Sequence, residues 1–286
     1  MSSPSLAEKI RAWAIPATHP DGSPFIGISV DATGDLADAF GIGIAQVETT
    51  ALGKGILPMR YARNMKSLTF EDQSRLLESR VTVIGLGGLG GAVCEGLARI
   101  GIGNLTLIDG DRFEDSNLNR QFLCTEKTRF LSKAEMAVKR VVAVNRAVRA
   151  DAHHVMLDET NAATLIRGSD VAVDCLDNIR TRLIVEGSSR REGLPLVSGA
   201  VAGASGQVMT IFPSDKGFQS IYGSAENGPK IGAEASLGCL PQAIMMIASV
   251  ECSEVIKILL GRKGLLRNKL LFVDLMENTF NIFSFS

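Results

Sequence analysis

The stretch Arg80-Val81-Thr82-Val83-Ile84-Gly85-Leu86-Gly87-Gly88-Leu89-Gly90-Gly91 constrains this chain more than any other. A short apolar strand runs straight into glycines, and a helical pattern starts at Leu89. Glycines let a backbone turn sharply and approach a phosphate. The N-terminus of the next helix offers free N–H groups and the positive end of a dipole. About twenty residues on, Leu105-Thr106-Leu107-Ile108 ends in Asp109, placed to hold a ribose hydroxyl. Strand, glycine turn, helix, strand and acid make the dinucleotide fingerprint, which says nucleotide without saying which one. The competing reading is a glycine turn that only packs helix on sheet.

Strands and helices alternate after this motif. Strands are expected at 153–157, 171–173 and 194–200, and helices at 130–148, 161–167 and 179–192. That spacing predicts a Rossmann-like α/β fold, a mostly parallel sheet with helices on both faces. Residues 206–212 read as a strand without a long helix before them, so antiparallel pairing is expected toward the C-terminus. A long core helix at 239–260 follows, and 270–274 with 278–284 form a terminal hairpin. Residues 214–236, rich in Gly, Ser, Pro and Asn, are too long for an ordinary connection and mark a candidate functional loop. Residues 1–58 differ in character and read as a small N-terminal helical extension. It has helices at 2–14, 35–41 and 44–52, a turn region at 19–24 and a linker at 53–58. Residues 59–286 form the nucleotide-binding domain.

Several function classes are excluded by composition. The 286 residues are 45% hydrophobic, enough for a sizeable core, and the net charge is −1 with both signs mixed. Neither a nucleic acid nor an anionic membrane is favoured as a partner. Cys94, Cys124, Cys175, Cys239 and Cys252 are odd in number and contain no Cys-x-x-Cys pair. This is neither a disulfide framework nor a zinc ribbon, and a reducing cytoplasm is the expected location. The first residues lack the apolar core of a signal peptide. Residues 237–250 are apolar but hold Pro241 and Gln242 and run into Glu251, so they read as a buried helix rather than a membrane span.

Beyond the fingerprint lie three polar clusters: Asp109-Gly110-Asp111, then Ser116-Asn117-Leu118-Asn119-Arg120-Gln121 with Lys133, then Asp174-Cys175-Leu176-Asp177-Asn178 with Arg182. In an open α/β sheet the C-terminal strand ends face one crevice. Gly87, Asp109, Asn117, Arg120, Lys133 and Asp177 are therefore expected to converge on one ligand. Two cations and a carboxylate suit a triphosphate with a divalent metal better than a pyrophosphate dinucleotide.

With Arg60-Tyr61-Ala62-Arg63 and Gly85-Leu86-Gly87-Gly88-Leu89-Gly90 ahead of them, these motifs in this order resemble the ThiF/MoeB/HesA family, relatives of ubiquitin-activating enzymes. The resemblance spans roughly residues 59–262 and rests on the ordered set rather than on any one motif. It implies ATP with Mg as cofactors. It also implies adenylation of the C-terminal glycine carboxylate of a small ubiquitin-like sulfur-carrier protein ending in Gly-Gly, of molybdopterin or thiamine type. By the same resemblance Asp109 holds the ribose, while Asn117, Arg120 and Lys133 hold phosphates. Asp177 holds the magnesium, and Arg63 crosses a homodimer interface into the partner's site. Gly85, Gly87, Gly88, Leu89, Gly90, Gln121, Leu176 and Asn178 complete the expected nucleotide cradle. Asp111 is open between a ribose or metal contact and a loop turn.

The chemistry is consistent with the residues. A glycine carboxylate is ionised at neutral pH and needs no general base to attack an α-phosphate. The work is alignment and charge neutralisation, and none of His19, His153 and His154 falls in a motif. The bland alternatives are a solvated basic face for Arg120 and Lys133 and a plain helix cap for Asp177-Asn178. The paired Cys-x-x-Cys motifs with which many members of the family bind zinc are absent, so no zinc is expected. Cys239 reads as a small buried residue. The alternatives at the level of function are an NAD-dependent oxidoreductase and a non-catalytic adaptor that binds a carrier.

Overall fold

The computed structural model describes residues 4–223 and 234–285. Its first unit contains α1 (Leu6–Trp13), β1 (Ile15–Thr18), β2 (Pro24–Ile28), α2 (Val30–Phe40), α3 (Ile44–Leu52) and β3 (Leu57–Pro58). Ser5 and Glu8 form a capping box that starts α1, and Ser29 caps α2. β1 pairs antiparallel with β2, and β2 pairs parallel with β3. Ile10, Ile28, Leu36, Val47 and Ala51 close a small core of their own. The expected helices and turn are present, but the unit is mixed rather than helical. β1 and β2 lie largely on the surface, so neither carries the apolar alternation that marks a strand in sequence.

The second unit runs α4 (Phe70–Glu78), β4 (Arg80–Ile84), α5 (Gly88–Ile100), β5 (Asn104–Ile108), α6 (Lys133–Val144), β6 (Arg149–His153), α7 (Ala162–Ile166), β7 (Val171–Asp174) and α8 (Ile179–Glu192). It continues with β8 (Leu196–Ala202), β9 (Ser205–Ile211), α9 (Gln219–Tyr222), α10 (Glu234–Leu237), α11 (Pro241–Leu259), β10 (Lys269–Asp274) and β11 (Thr279–Ser284). Eight strands form one sheet in the order β11-β10-β9-β8-β7-β4-β5-β6. β8, β7, β4, β5 and β6 run parallel, and β9, β10 and β11 continue antiparallel. α5, α6 and α11 share one apolar cluster with the sheet, and a second cluster involving α7 and α8 covers the other side. The expected fold class is the observed one.

Boundaries moved where capping overrides apolar content. Helix α6 begins only at Lys133, because Ser132 is its N-cap and Phe130 has a positive φ. The strand expected at 153–157 is displaced to Arg149–His153, in register with β5. That displacement leaves Val155, Met156 and Leu157 beyond the strand end, where they serve a different purpose. Residues 224–233 of the expected functional loop lie outside the described residues.

The chain leaves β4 for β5 and β6 on one side, then returns to β7 and β8 on the other. The strand order therefore reverses between β4 and β7, and a ligand crevice belongs at the C-terminal ends of these strands.

Candidate active site

The crevice at the reversal point has a volume of about 740 Å³, within the roughly 300–1,000 Å³ of sites that hold small ligands. Its floor is the glycine turn. Gly85 sits at φ +84°, which a side chain would strain, and its N–H donates to the Ile108 carbonyl at 2.9 Å. A Cβ on Gly90 would stand 1.7 Å from the Gly85 carbonyl oxygen, so only glycine allows α5 to start this close to β4. The N-termini of α5, α6 and α8 all open on the crevice through Gly88, Lys133 and Asn178. Three such ends in one place favour a polyanionic ligand.

Asp109 ends β5 and ties the turn down. One carboxylate oxygen accepts from the Leu86 N–H at 2.6 Å, the other from the Asp111 N–H at 2.7 Å. Burial pushes its carboxyl above the usual carboxylate range, opposed chiefly by the nearby Lys133 charge and then by these N–H groups. Asp109 thus shapes the cradle as well as facing it. From Asp111 the chain makes an excursion anchored by buried Phe113 and returns so that the Lys133 N–H donates to the Asp111 carbonyl at 3.0 Å. The Lys133 ammonium meets the Asp111 carboxylate at 3.0 Å, with the lysine side chain nearly covered and the aspartate open to solvent. Lys133 is therefore no solvated surface residue. It is a buried cation aimed into the crevice, with an exposed counter-ion that a stronger anion can displace.

Arg120 lies on the rim, its guanidinium donating to the Ser116 carbonyl at 2.8 Å and to Asn119 Oδ1 at 2.9 Å. Asp177 is exposed just after the end of β7, and Asn178 caps α8 by accepting from the Thr181 N–H at 2.8 Å. The cap is real, and it uses Asn178 alone, while Asp177 beside it lines the crevice. Gly85, Gly87, Gly88, Leu89, Asp109, Asp111, Arg120, Gln121, Lys133, Leu176, Asp177 and Asn178 all line the crevice.

Three expected site residues do not. Gly90 lies beneath the lining as a packing residue. Asn117 is turned into its own loop, where Oδ1 accepts from the Glu114 N–H at 3.0 Å. Arg63 is exposed outside the crevice, on the turn after β3. That turn packs against the far end of α5, where Gly101 meets the Tyr61 ring. α5 is 13 residues long, which separates Arg63's turn from the glycine cradle by about 20 Å along the helix.

Sequence reasoning missed two parts of the lining. Val155, Met156 and Leu157 form an apolar wall beside Asp109, and Met156 is 68% exposed. Their apolar run reads as a strand, which hid them. Ala200, Val201, Gly238, Cys239 and Ile244 extend the crevice away from Asp109 toward α11. Cys239 is not buried but half-buried, its thiol donating to the Val201 carbonyl at 3.4 Å. The turn after β8 gathers this group: the Gly203 N–H donates to the Gly238 carbonyl at 2.7 Å, and the Leu240 N–H to the Gly203 carbonyl at 3.0 Å.

Under the floor, Asp174 is fully buried and accepts from the Ser198 hydroxyl at 2.8 Å and the Leu176 N–H at 3.0 Å. Arg182 lies 3.7 Å from it and donates to the Gly199 carbonyl at 2.7 Å. Burial pushes the Asp174 carboxyl up against the pull of Arg182, and it pushes the Glu251 carboxyl on α11 up much further. Glu251 occupies the room that Gly199 leaves by lacking a side chain. These groups fix β7, β8, α8 and α11 to one another directly below Asp177.

Among the described residues no group of three His, Cys, Asp or Glu side chains is placed to hold a metal ion alone. Of the two open carboxylates that line the crevice, Asp111 is paired with Lys133, and Asp177 fits a magnesium that arrives with phosphate ligands of its own. No helix among the described residues is long and apolar enough to cross a membrane.

The model of the ThiF family matches residues 61–286. The SAMP-activating enzyme E1 of Haloferax volcanii is 36% identical over 226 residues, covering 77% of this chain and 83% of that protein. The molybdopterin-synthase adenylyltransferase of Escherichia coli is 33% identical, covering 78% of this chain and 90% of that one. Among solved structures, E. coli MccB with ATP superposes with a TM-score of 0.69 at 19% identity, covering 88% of this chain and 79% of that one. This last likeness concerns the fold.

Proposed function

The chain belongs to the ThiF family and is an adenylyltransferase, and on that premise we propose that it adenylates the C-terminal glycine carboxylate of a small sulfur-carrier protein with ATP and Mg. The observation that carries this reading is one crevice lined by a buried Lys133 ammonium, an open Asp177 carboxylate and three helix N-termini. A dehydrogenase site has no use for that arrangement. The apolar wall Val155, Met156 and Leu157 suits a purine, and Asp109 beside it suits the ribose. Arg120, Lys133 and the N–H groups at Gly87–Leu89 face the phosphates. Asp177 would hold magnesium, which neutralises charge on the phosphates and the departing pyrophosphate. The lobe at Ala200, Val201 and Gly238 is lined by small and apolar side chains, which suits an extended glycine tail.

The carrier's carboxylate oxygen attacks the α-phosphorus, an acyl–phosphate bond forms, and the bond to pyrophosphate breaks. No proton moves in this step, in keeping with a site without histidine. What the chain contributes is alignment and preorganised positive charge.

Labelled pyrophosphate should exchange into ATP when the protein is given ATP–Mg and a carrier ending in Gly-Gly. Arg120→Ala should reduce the exchange rate by on the order of a hundredfold, as removal of a preorganised charge donor does. Wild-type exchange in that variant would remove Arg120 from the site. Titration calorimetry separates the oxidoreductase reading: tight NAD binding without Mg-dependent ATP binding would favour it.

The site is proposed to be shared. Arg63 is too far along α5 to serve its own crevice, whereas in a two-fold dimer it can serve the partner's. Mixing Arg63→Ala with Asp177→Ala protein should restore roughly a quarter of wild-type exchange, since half the dimers are hybrids and each has one intact site of two. Subunit exchange, verified by differential tags, without recovery would refute the shared site.

A further inference from the structure

Glu48 is a carboxylate on α3 with no exposure at all, and it belongs to the first unit rather than to the nucleotide domain. Its partner is Arg60, with Nε 2.9 Å from Glu48 Oε1. Burial pushes the Glu48 carboxyl up and the Arg60 charge pulls it down. A buried pair like this contributes little net stability, because desolvation offsets the attraction, but losing one partner leaves a bare buried charge. Its value lies in what it holds in place.

What it holds is the turn that carries Arg63. Arg60 also donates to Asn145 Oδ1 at the C-terminal end of α6. Asn145 Nδ2 donates to the Tyr61 hydroxyl and to the Ala98 carbonyl, both at 3.0 Å. Tyr61 is fully buried against Gly101. On the other side of Arg63, Asn64 Nδ2 donates to Gln73 Oε1 at 3.0 Å, and Gln73 Nε2 donates to the Ile100 carbonyl at 2.8 Å. The turn itself is closed by the Asn64 N–H on the Tyr61 carbonyl at 2.9 Å. Arg60, Tyr61 and Asn64 are thus pinned to three helices, and Arg63 stands exposed among them on a rigid base.

We propose that Glu48 is a positioning residue for Arg63, so that the first unit acts as a brace that aims one subunit's arginine at the other subunit's crevice. This rests on the shared site proposed above. It gives residues 4–58 a function in catalysis although they touch no part of their own crevice.

The test is hybrid complementation with full-length protein, and its logic is asymmetric. Glu48→Ala should lower pyrophosphate exchange on the order of ten- to a hundredfold, the scale of a misaligned group. Mixed with Asp177→Ala it should recover as well as Arg63→Ala does, because its own crevice is intact and the partner supplies a well-aimed Arg63. Mixed with Arg63→Ala it should not recover, because both subunits donate a defective arginine. A general loss of folding predicts no recovery with either partner, so the Asp177→Ala mixture, whose rescued site lies in the Glu48→Ala subunit itself, separates the two. Glu48→Gln, which keeps the side-chain volume, serves if the alanine variant does not fold and should show the same pattern. Wild-type exchange in Glu48→Ala overturns the inference. So does failure to recover with Asp177→Ala while the Arg63→Ala control mixture recovers. Failure of that control instead overturns the shared site, and the brace with it.

Discussion

Asp177→Ala should reduce pyrophosphate exchange on the order of a thousandfold while leaving the fold intact. Asp177 is exposed and lies outside the capping interaction that Asn178 makes with Thr181, so its loss opens no cavity and breaks no helix cap. The thermal midpoint should therefore stay within the narrow range of ordinary surface substitutions. What is lost is an open crevice carboxylate, the one proposed above to hold a metal against the phosphates. Metal-assisted charge stabilisation is worth several kcal/mol, and each 1.4 kcal/mol is about tenfold in rate. Asp177→Asn should share the defect, since the amide keeps the shape and loses the charge. The measurement is exchange rate against Mg concentration in both variants. Normal exchange at ordinary Mg in either would remove Asp177 from the site.

The second large effect is on stability. Gly90→Ala should cost about 3 kcal/mol or more, at the upper end of overpacking effects, because the new methyl falls 1.7 Å from the Gly85 carbonyl oxygen. That oxygen belongs to a backbone fixed by the Gly85 hydrogen bond to Ile108 and cannot rotate away. Gly91→Ala, one residue on, meets the Leu123 side chain at 3.2 Å and the Leu86 carbonyl oxygen only at an ordinary 3.9 Å. A side chain can shift by tenths of an ångström, so that variant should lose at most about 1 kcal/mol. For a domain of this size the first change lowers the thermal midpoint by roughly 10 °C and the second by a few degrees at most. Equal midpoints for the two variants would show that α5 does not start where the glycine contacts place it.

Much of this was legible in the residues because the signals are local. The glycine turn, Asp109 about twenty residues later and the apolar strands β4 and β7 each declare themselves within a short window. Strand ends in a parallel sheet share an edge, so Lys133, Arg120 and Asp177 were placed on one crevice before any distance was known. The Asn178 helix cap is a local signal too, whereas the Ser132 cap was masked by the apolar residues Phe130 and Leu131 just before it.

What the sequence by itself determined, then, is the architecture and the polar set of the crevice, since both follow from short-range periodicity and chain order. Tertiary structure alone decided the rest. Asn117 has the right chemistry for a phosphate, but it is consumed by its own loop, a choice set by how residues 111–132 return to α6. Val155, Met156 and Leu157 became crevice wall instead of strand because β6 takes its register from β5. The lobe at Ala200 and Cys239 exists because the turn after β8 bonds the chain at Gly238 and Leu240, just ahead of α11, whose Ile244 packs over Gly88. The brace is the extreme case: Glu48, Arg60 and Asn145 come from α3, the turn after β3 and the end of α6, and no local pattern links them. A buried charge is tolerable only where folding supplies its partner. Such a partner is chosen by packing over the whole chain, and a reading along the chain does not see it.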